Sequence, residues 1–179
     1  ALDILFHRLT TWLAPILVFT MEDVWLDRFP GEGSSVHLQD MPETPANWRD
    51  EGLAEKWAKV RRARRVVTSA LEVKRRDKVI GASLEAAPVV HVTDTDMLAV
   101  LQAVPELEDV MITSAITVAE GAGPDGSFTL PEIPGIAVEF AMAQGQKCQR
   151  SWKILPDVGT HKYPGVCARC DAALRELLG

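Results

Sequence analysis

No stretch of this 179-residue chain is apolar for long enough to cross a bilayer. The longest run, Trp12 to Phe19, is under half of the roughly 20 residues that a membrane helix needs. An initiating Met is also missing. Ala1 opens straight into Leu2, Ile4, Leu5 and Phe6, with no basic n-region and no small-residue cleavage site. That predicts no signal peptide, and a piece cut from a longer protein. Cysteine is scarce: three residues cannot all pair, and two of them form a C-x-x-C. Reduced cytosolic thiols or metal ligands fit this better than a disulfide framework. Neither a Ser-His-Asp set nor a P-loop appears. The stretch Gly121-Ala122-Gly123-Pro124-Asp125-Gly126 matches G-x-G-x-x-G on paper. Pro124 and the lack of a following helix make it a turn rather than a nucleotide cradle.

What is present is a globular composition with an uneven charge. At 47% hydrophobic and 25% charged residues the chain is no disordered polymer. The net charge of -6 argues against a polyanionic partner only until it is mapped. Lys56 to Lys78 holds ten of the nineteen Lys and Arg residues and two acids, Glu72 and Asp77, so the segment carries +8. The residues from Gln144 onward carry +3. Two basic segments on an otherwise acidic molecule would admit a polyanion on selected faces, whereas a basic run alone also suits a solvated helix face.

Periodicity predicts an α+β chain in three parts, residues 1–81, 82–143 and 144–179. The first 29 residues repeat apolar positions at three and four, with a kink or break at Pro15. Val36-His37-Leu38 reads as short and extended, and Thr44-Pro45 as the N-terminal signal of a long helix from Ala46 to about Lys78. On that helix Leu53, Trp57, Val60, Ala63 or Arg64, Val67, Leu71 and Lys74 trace the apolar face, and Trp12, Trp25 and Trp57 read as core. These helices look like part of a bundle. In the middle part, residues 87–92, 110–113, 115–118 and 136–141 read as strands, and Asp94 and Asp96 as caps of a helix from Met97 to Val104. His7 reads as a packed or capping residue, and His91 falls in a predicted strand with no Cys or Asp-Ser partner set nearby in sequence.

The last part holds the most specific chemistry. With cysteine in place of Ser151, Cys148, Ser151, Cys167 and Cys170 would form C-x-x-C, fifteen residues, C-x-x-C, a structural zinc layout. Each knuckle aims two thiolates at one point, and two knuckles complete a tetrahedron. A neutral Ser151 hydroxyl is a poor zinc ligand, leaving Cys148, Cys167 and Cys170, with His161 or water as the fourth donor. The alternatives are a ribbon that keeps its shape without metal, and unrelated buried thiols.

The string from Lys147 to Lys153, then Asp157-Val158-Gly159 and the string from Tyr163 to Cys170, resembles the C-terminal zinc-binding element of bacterial isoleucyl-tRNA synthetases. Three upstream stretches agree in the same order. They are Leu13 to Trp25, including Thr20-Met21-Glu22-Asp23-Val24-Trp25; Ser35 to Pro42; and Arg75 to Ala86, beginning Arg75-Arg76-Asp77-Lys78. The resemblance implies a partial helical anticodon-binding bundle, a small α+β module and a zinc-ribbon-like element. It further implies a cytoplasmic, catalytically silent piece of a ligase, binding the tRNA for isoleucine beside the remaining domains of the same synthetase. ATP and magnesium would then belong to the parent. Arg61, Arg62, Arg65, Arg75, Arg76, Lys78, Arg150 and Lys153 are the expected tRNA-binding cations, and Trp152 stacks on a base or packs on the ribbon. The zinc element alone also resembles the finger of formamidopyrimidine-DNA glycosylases, so a DNA-binding zinc-finger protein is the rival, with a protein-interaction scaffold the third reading.

Overall fold

The computed structural model describes residues 1–178, which divide into two compact units, Ala1–Asp50 and the chain from Glu51 onward. Among the described residues no helix is long and apolar enough to cross a membrane.

The first unit is built on two helices, α1 (Leu2–Leu13) and α2 (Val18–Arg28). Between them Pro15 has no N–H to give, and the Leu13 carbonyl closes the break by accepting from Ile16 and Leu17 at 2.9 and 2.8 Å. The unit's core is small. Ala14, Trp25 and Val36 are buried, with Phe6, Met21, Leu26 and Phe29 packed around them. His7 lies against the rings of Trp25 and Phe29, 5.3 Å from each, as a packed residue. A core this small cannot enclose every apolar side chain, and Trp12, expected inside, is 44% exposed.

Two local expectations in this unit are corrected. Val36–Leu38 is a 3-10 turn rather than an extended stretch. Ser35 caps it by accepting from the His37 N–H, while the Glu22 carboxylate accepts from the Ser35 hydroxyl and the Val36 N–H, each at 2.9 Å. Thr44-Pro45 opens only a second 3-10 turn, Ala46–Trp48. The Arg8 guanidinium stacks on the Trp48 ring at 4.5 Å and donates to the Glu43 carbonyl at 2.8 Å, tying this turn to α1.

The second unit begins with α3 (Glu51–Arg76), five residues later than the sequence suggested. Its buried stripe, Val60, Ala63, Val66, Val67, Ala70 and Leu71, recurs at three and four and lies in one core with the sheet. The three-part division set this helix apart from the α+β module, yet in the structure the two share a core. Trp57 packs partly buried against that core, while Leu53 is half exposed.

The sheet has the order β2-β1-β4-β3, with β1 (Val89–Val92), β2 (Thr117–Glu120), β3 (Phe128–Leu130) and β4 (Ile133–Glu139). β1 runs parallel to β2 and antiparallel to β4, in a register that sets Val90 beside Val118 and Val138. The parallel pair requires a crossover, supplied by α4 (Thr95–Gln102) and α5 (Leu107–Met111). Asp94 caps α4 as expected, accepting from the Met97 N–H at 2.6 Å. On the sheet's other face His91 meets Glu139 at 3.2 Å.

Residues 110–113, expected as strand, are instead the end of α5 and its exit. Leu107 and Met111, four apart, both enter the core, and Ile112 takes a left-handed φ of 60° so that the Thr113 N–H reaches the Glu108 carbonyl. The β-branched run carried strand propensity, and the i, i+4 pair outweighed it.

The C-terminal part adds a two-stranded ribbon, β5 (Gln146–Lys147) with β6 (Ile154–Leu155), and the helix α6 (Ala168–Leu178), which the sequence reading did not anticipate. Cys170 and Leu174, four apart and packed in one small core, are its apolar spacing.

Leu71 is only 1% exposed at the centre of the shared core. Leu71→Ala should lower the unfolding free energy by about 2–5 kcal/mol in urea titration. A change under about 1 kcal/mol would mean that α3 does not share its core with the sheet.

Candidate metal centre and nucleic-acid interface

The thiol site is assembled by the ribbon and the first turn of α6. β5 delivers Cys148, whose N–H donates to the Lys153 carbonyl at 2.8 Å across the knuckle, while the Trp152 N–H returns to the Cys148 carbonyl at 2.9 Å. Trp152 sits at φ 64°, the left-handed conformation that closes so tight a turn. Gly145, at φ 114°, precedes the ribbon where any Cβ would overlap the Leu155 carbonyl. Cys167 and Cys170 arrive one helical turn apart on the start of α6. Asp157 caps that start by accepting from the Ala168 N–H at 2.7 Å.

Cys148, Cys167 and Cys170 are all buried, and their sulfurs lie within 4.8 Å of one another. N–H groups of Ser151 and Cys167 donate to the Cys148 sulfur, each at 3.4 Å. Arg150 reaches the Cys170 sulfur at 3.6 Å. Burial pushes the Cys148 thiol up, yet the Ser151 hydroxyl and the N–H groups of Ser151, Cys167 and Arg150 bring it down to about 6. Burial raises Cys167, and its thiol neighbours add to that rise. Three convergent sulfurs with amide donors aimed at one of them suit a thiophilic divalent metal.

His161 is not among them. Its Nε2 lies 2.9 Å from the Asp157 carboxylate, which the Ala168 N–H and then this contact hold below the usual carboxylate range. Ser151 is there instead, its Oγ 3.8 Å from the Cys167 sulfur.

α5 joins this site to the basic helix. Lys153 forms an ion pair with Asp109 and lies 3.7 Å from Glu108. Arg169 donates to Asp109 at 2.9 Å. From the other side Arg64 donates to the Val110 carbonyl at 2.9 Å. Ser114, just beyond α5, accepts from the Ile154 N–H at 2.7 Å and donates to the Leu84 carbonyl, so one buried hydroxyl ties the ribbon to the chain leaving α3.

The expected tRNA-binding residues fall into groups. Arg61 and Arg62 are exposed and make no ion pair or hydrogen bond among the described residues. Arg61 is three residues from Arg64, on the flank of α3 that faces α5. Arg62 lies about 100° round the helix from Arg61 and borders Pro134–Ile136 instead. Arg65 pairs with Glu132 at 3.3 Å. Arg75 bonds Glu72 and Ser83, and Arg76 bonds Asp77. Lys78 is exposed at a left-handed φ. On the knuckle Arg150 is exposed, and Trp152 is 64% exposed with Lys147 5.8 Å from its ring. Lys153 is 14% exposed and engaged by the acids of α5, which withdraws it from the surface. Sequence alone offered Arg64 only as an alternative to Ala63 on the apolar face and did not single out Asp109 and Ser114, because their roles arise from long-range partners.

Asp109 is held below the usual carboxylate range, first by its bond to Lys153 and then by Arg169. A depressed carboxylate stabilises the fold above its unfolded pKa, and that contribution is lost as pH falls through the folded value. Docking of the knuckle on α5 should therefore hold at neutral pH and loosen on acidification below the ordinary carboxylate range. Amide exchange at Cys148 and Ile154 reads this directly. Asp109→Asn should cost about 1–3 kcal/mol of their protection at neutral pH and flatten its acid dependence. Equal protection in the variant would remove α5 as the joint.

Comparison with known proteins places these elements. Residues 1–91, from α1 through α3 into β1, match the family model described as the anticodon-binding domain of tRNA ligase. The chain is 65% identical over 97% of its length to the isoleucine–tRNA ligase of Ruegeria pomeroyi, 53% to that of Brucella abortus and 47% to that of Bartonella henselae. In each case it spans 18% of the relative's length. The DNA-repair reading leaves residues 1–91 unexplained, and nothing here supports it. With more than half of its residues matched, the chain belongs to the anticodon-binding domain family of tRNA ligases.

Proposed function

We propose that this chain is the tRNA-gripping part of an isoleucine–tRNA ligase, holding the anticodon stem-loop while other parts of the parent carry ATP, magnesium and the aminoacylation chemistry. The observation that carries this is the exposed Trp152 on the knuckle, flanked by Lys147 and Arg150 and joined through α5 to the flank of α3 that bears Arg61. An aromatic ring left in water at the tip of a basic loop suits an unpaired base, which stacks on it whatever its identity. Exposed arginines on a segment of charge +8 suit the phosphates of the stem, and such contacts set position and affinity rather than sequence. Arg62 and Lys78 extend the positive potential along α3 and just past its end, whereas Arg65, Arg75 and Arg76 share theirs with Glu132, Glu72 and Asp77.

Zinc belongs to the same reading. Cys148, Cys167 and Cys170 would hold it, and its chemistry there is a rigid cross-link between the two knuckles. The buried sulfurs and their amide donors support it. Leu2, Ile16 and Phe19, each at least 75% exposed, support contact between the first unit and the remaining domains of the synthetase.

Binding of isoleucine tRNA by this chain should weaken steeply with salt. Arg61→Ala should reduce the slope of log K against log salt by about 1. Trp152→Ala should cost about 1–3 kcal/mol of affinity with the melting temperature unchanged. Unchanged affinity with a lowered melting temperature would make Trp152 a packing residue and sink the stacking role. Binding that ignores salt would favour the protein-scaffold reading.

A further inference from the structure

We infer that Ser151, and not His161, supplies the fourth corner of the thiol site, so that a metal there is held by three sulfurs and one exchangeable oxygen. This rests on the metal-binding reading above and goes beyond it in assigning the fourth donor and its lability.

The geometry singles out one side chain. Ser151 stands where the C-x-x-C spacing puts the second donor of the first knuckle, and its N–H already bonds the Cys148 sulfur at 3.4 Å. Its Oγ is 3.8 Å from the Cys167 sulfur. In a tetrahedron with bonds of about 2.3 Å to sulfur and 2.0 Å to oxygen, the oxygen–sulfur edge is about 3.5 Å. The observed distance from Oγ to the Cys167 sulfur exceeds that edge by only a few tenths of an ångström. His161 is held elsewhere, because its Nε2 meets the Asp157 carboxylate that also caps α6 through the Ala168 N–H. Turning the imidazole to the thiols would break that contact and leave the cap alone to hold Asp157.

The corner is also open. Ser151 is half-buried, and it lines a cavity of about 290 Å³ together with Lys153, Asp157, Cys167 and Arg169. Water can therefore reach the one corner that lacks a thiolate. A neutral hydroxyl binds a soft-ligated divalent metal far less firmly than a thiolate, so solvent competes for the position. Closed four-thiolate sites are structural, whereas a site with three protein ligands and an open position exchanges what it binds there. Charge is consistent with this. Three thiolates on a divalent ion leave one negative charge, and Arg150 stands 3.6 Å from the Cys170 sulfur to meet it.

Cobalt(II) serves as the probe, because its d–d bands and sulfur-to-metal charge-transfer band report the donor set. The wild-type chain should take up one cobalt. Ser151→Cys should strengthen the charge-transfer band and slow the loss of cobalt to a chelator. Ser151→Ala should lose cobalt faster than wild type, and His161→Gln should leave the d–d spectrum as it was. A changed d–d spectrum in His161→Gln, or release from Ser151→Ala at the wild-type rate, would overturn the Ser151 assignment and leave the metal reading standing. So would a Ser151→Cys protein with the wild-type spectrum and release rate. Cobalt uptake by Ser151→Cys alone would show that serine cannot complete the site, again overturning the assignment. No uptake by either protein would overturn the metal reading and this inference together, without bearing on tRNA binding.

Discussion

The knuckle cannot stand on its own packing. Its core is Cys148, Val158, Val166, Cys167 and Cys170, edged by Leu155, Tyr163 and Leu174, far too little apolar surface to order a loop-rich segment in water. Two things make up the shortfall. One is the buried Cys148 sulfur, which accepts from the Ser151 and Cys167 N–H groups and so ties the ribbon to the start of α6. The other is α5, whose Asp109 takes Lys153 and Arg169 together while Val110 takes Arg64. Without that five-residue helix, the knuckle and α3 would be separate basic objects. With it, they have a fixed relation.

This explains why cations that look equivalent in the sequence differ in the fold. Lys153 and Arg169 belong to the same basic tail as Lys147 and Arg150, yet the first two meet acids of the chain itself. Such partly buried pairs orient an element more than they stabilise it, since desolvation offsets much of the attraction. Along α3 the same sorting occurs. Arg64, Arg65, Arg75 and Arg76 find partners within the chain, and among the described residues Arg61 and Arg62 do not. A count of positive residues therefore overstates the surface offered to a polyanion.

Those differences mark the limit of what the sequence made legible. Local rules served well: the break at Pro15, the Asp94 cap, the buried stripe of α3, the strands around Val90 and Val138, and the α+β class all followed from spacing and turn chemistry. Residues 110–113 and Val36–Leu38 misled because propensity there favoured extension, whereas a buried i, i+4 pair and a Glu22–Ser35 cap decided the outcome. The thiol positions were legible from spacing. The place of His161 was not, because its partner Asp157 is set by the start of a helix that went unread. What the sequence could not express was any role requiring two distant segments, and Asp109, Ser114 and Arg64 are all of that kind.

The replacement of one expected cysteine by Ser151 separates two jobs that a four-thiolate site performs at once. Shape at this knuckle comes largely from hydrogen bonds: Cys148 to Lys153, Trp152 to Cys148, and Ser151 and Cys167 to the Cys148 sulfur. None of these requires the fourth thiolate, since Ser151 contributes its amide whatever its side chain. Affinity for metal, by contrast, depends directly on the fourth donor. A serine there can thus lower the affinity for a metal without dismantling the turn that carries Trp152. The knuckle keeps its shape without a fourth thiolate because its backbone is already held by α5 and Ser114.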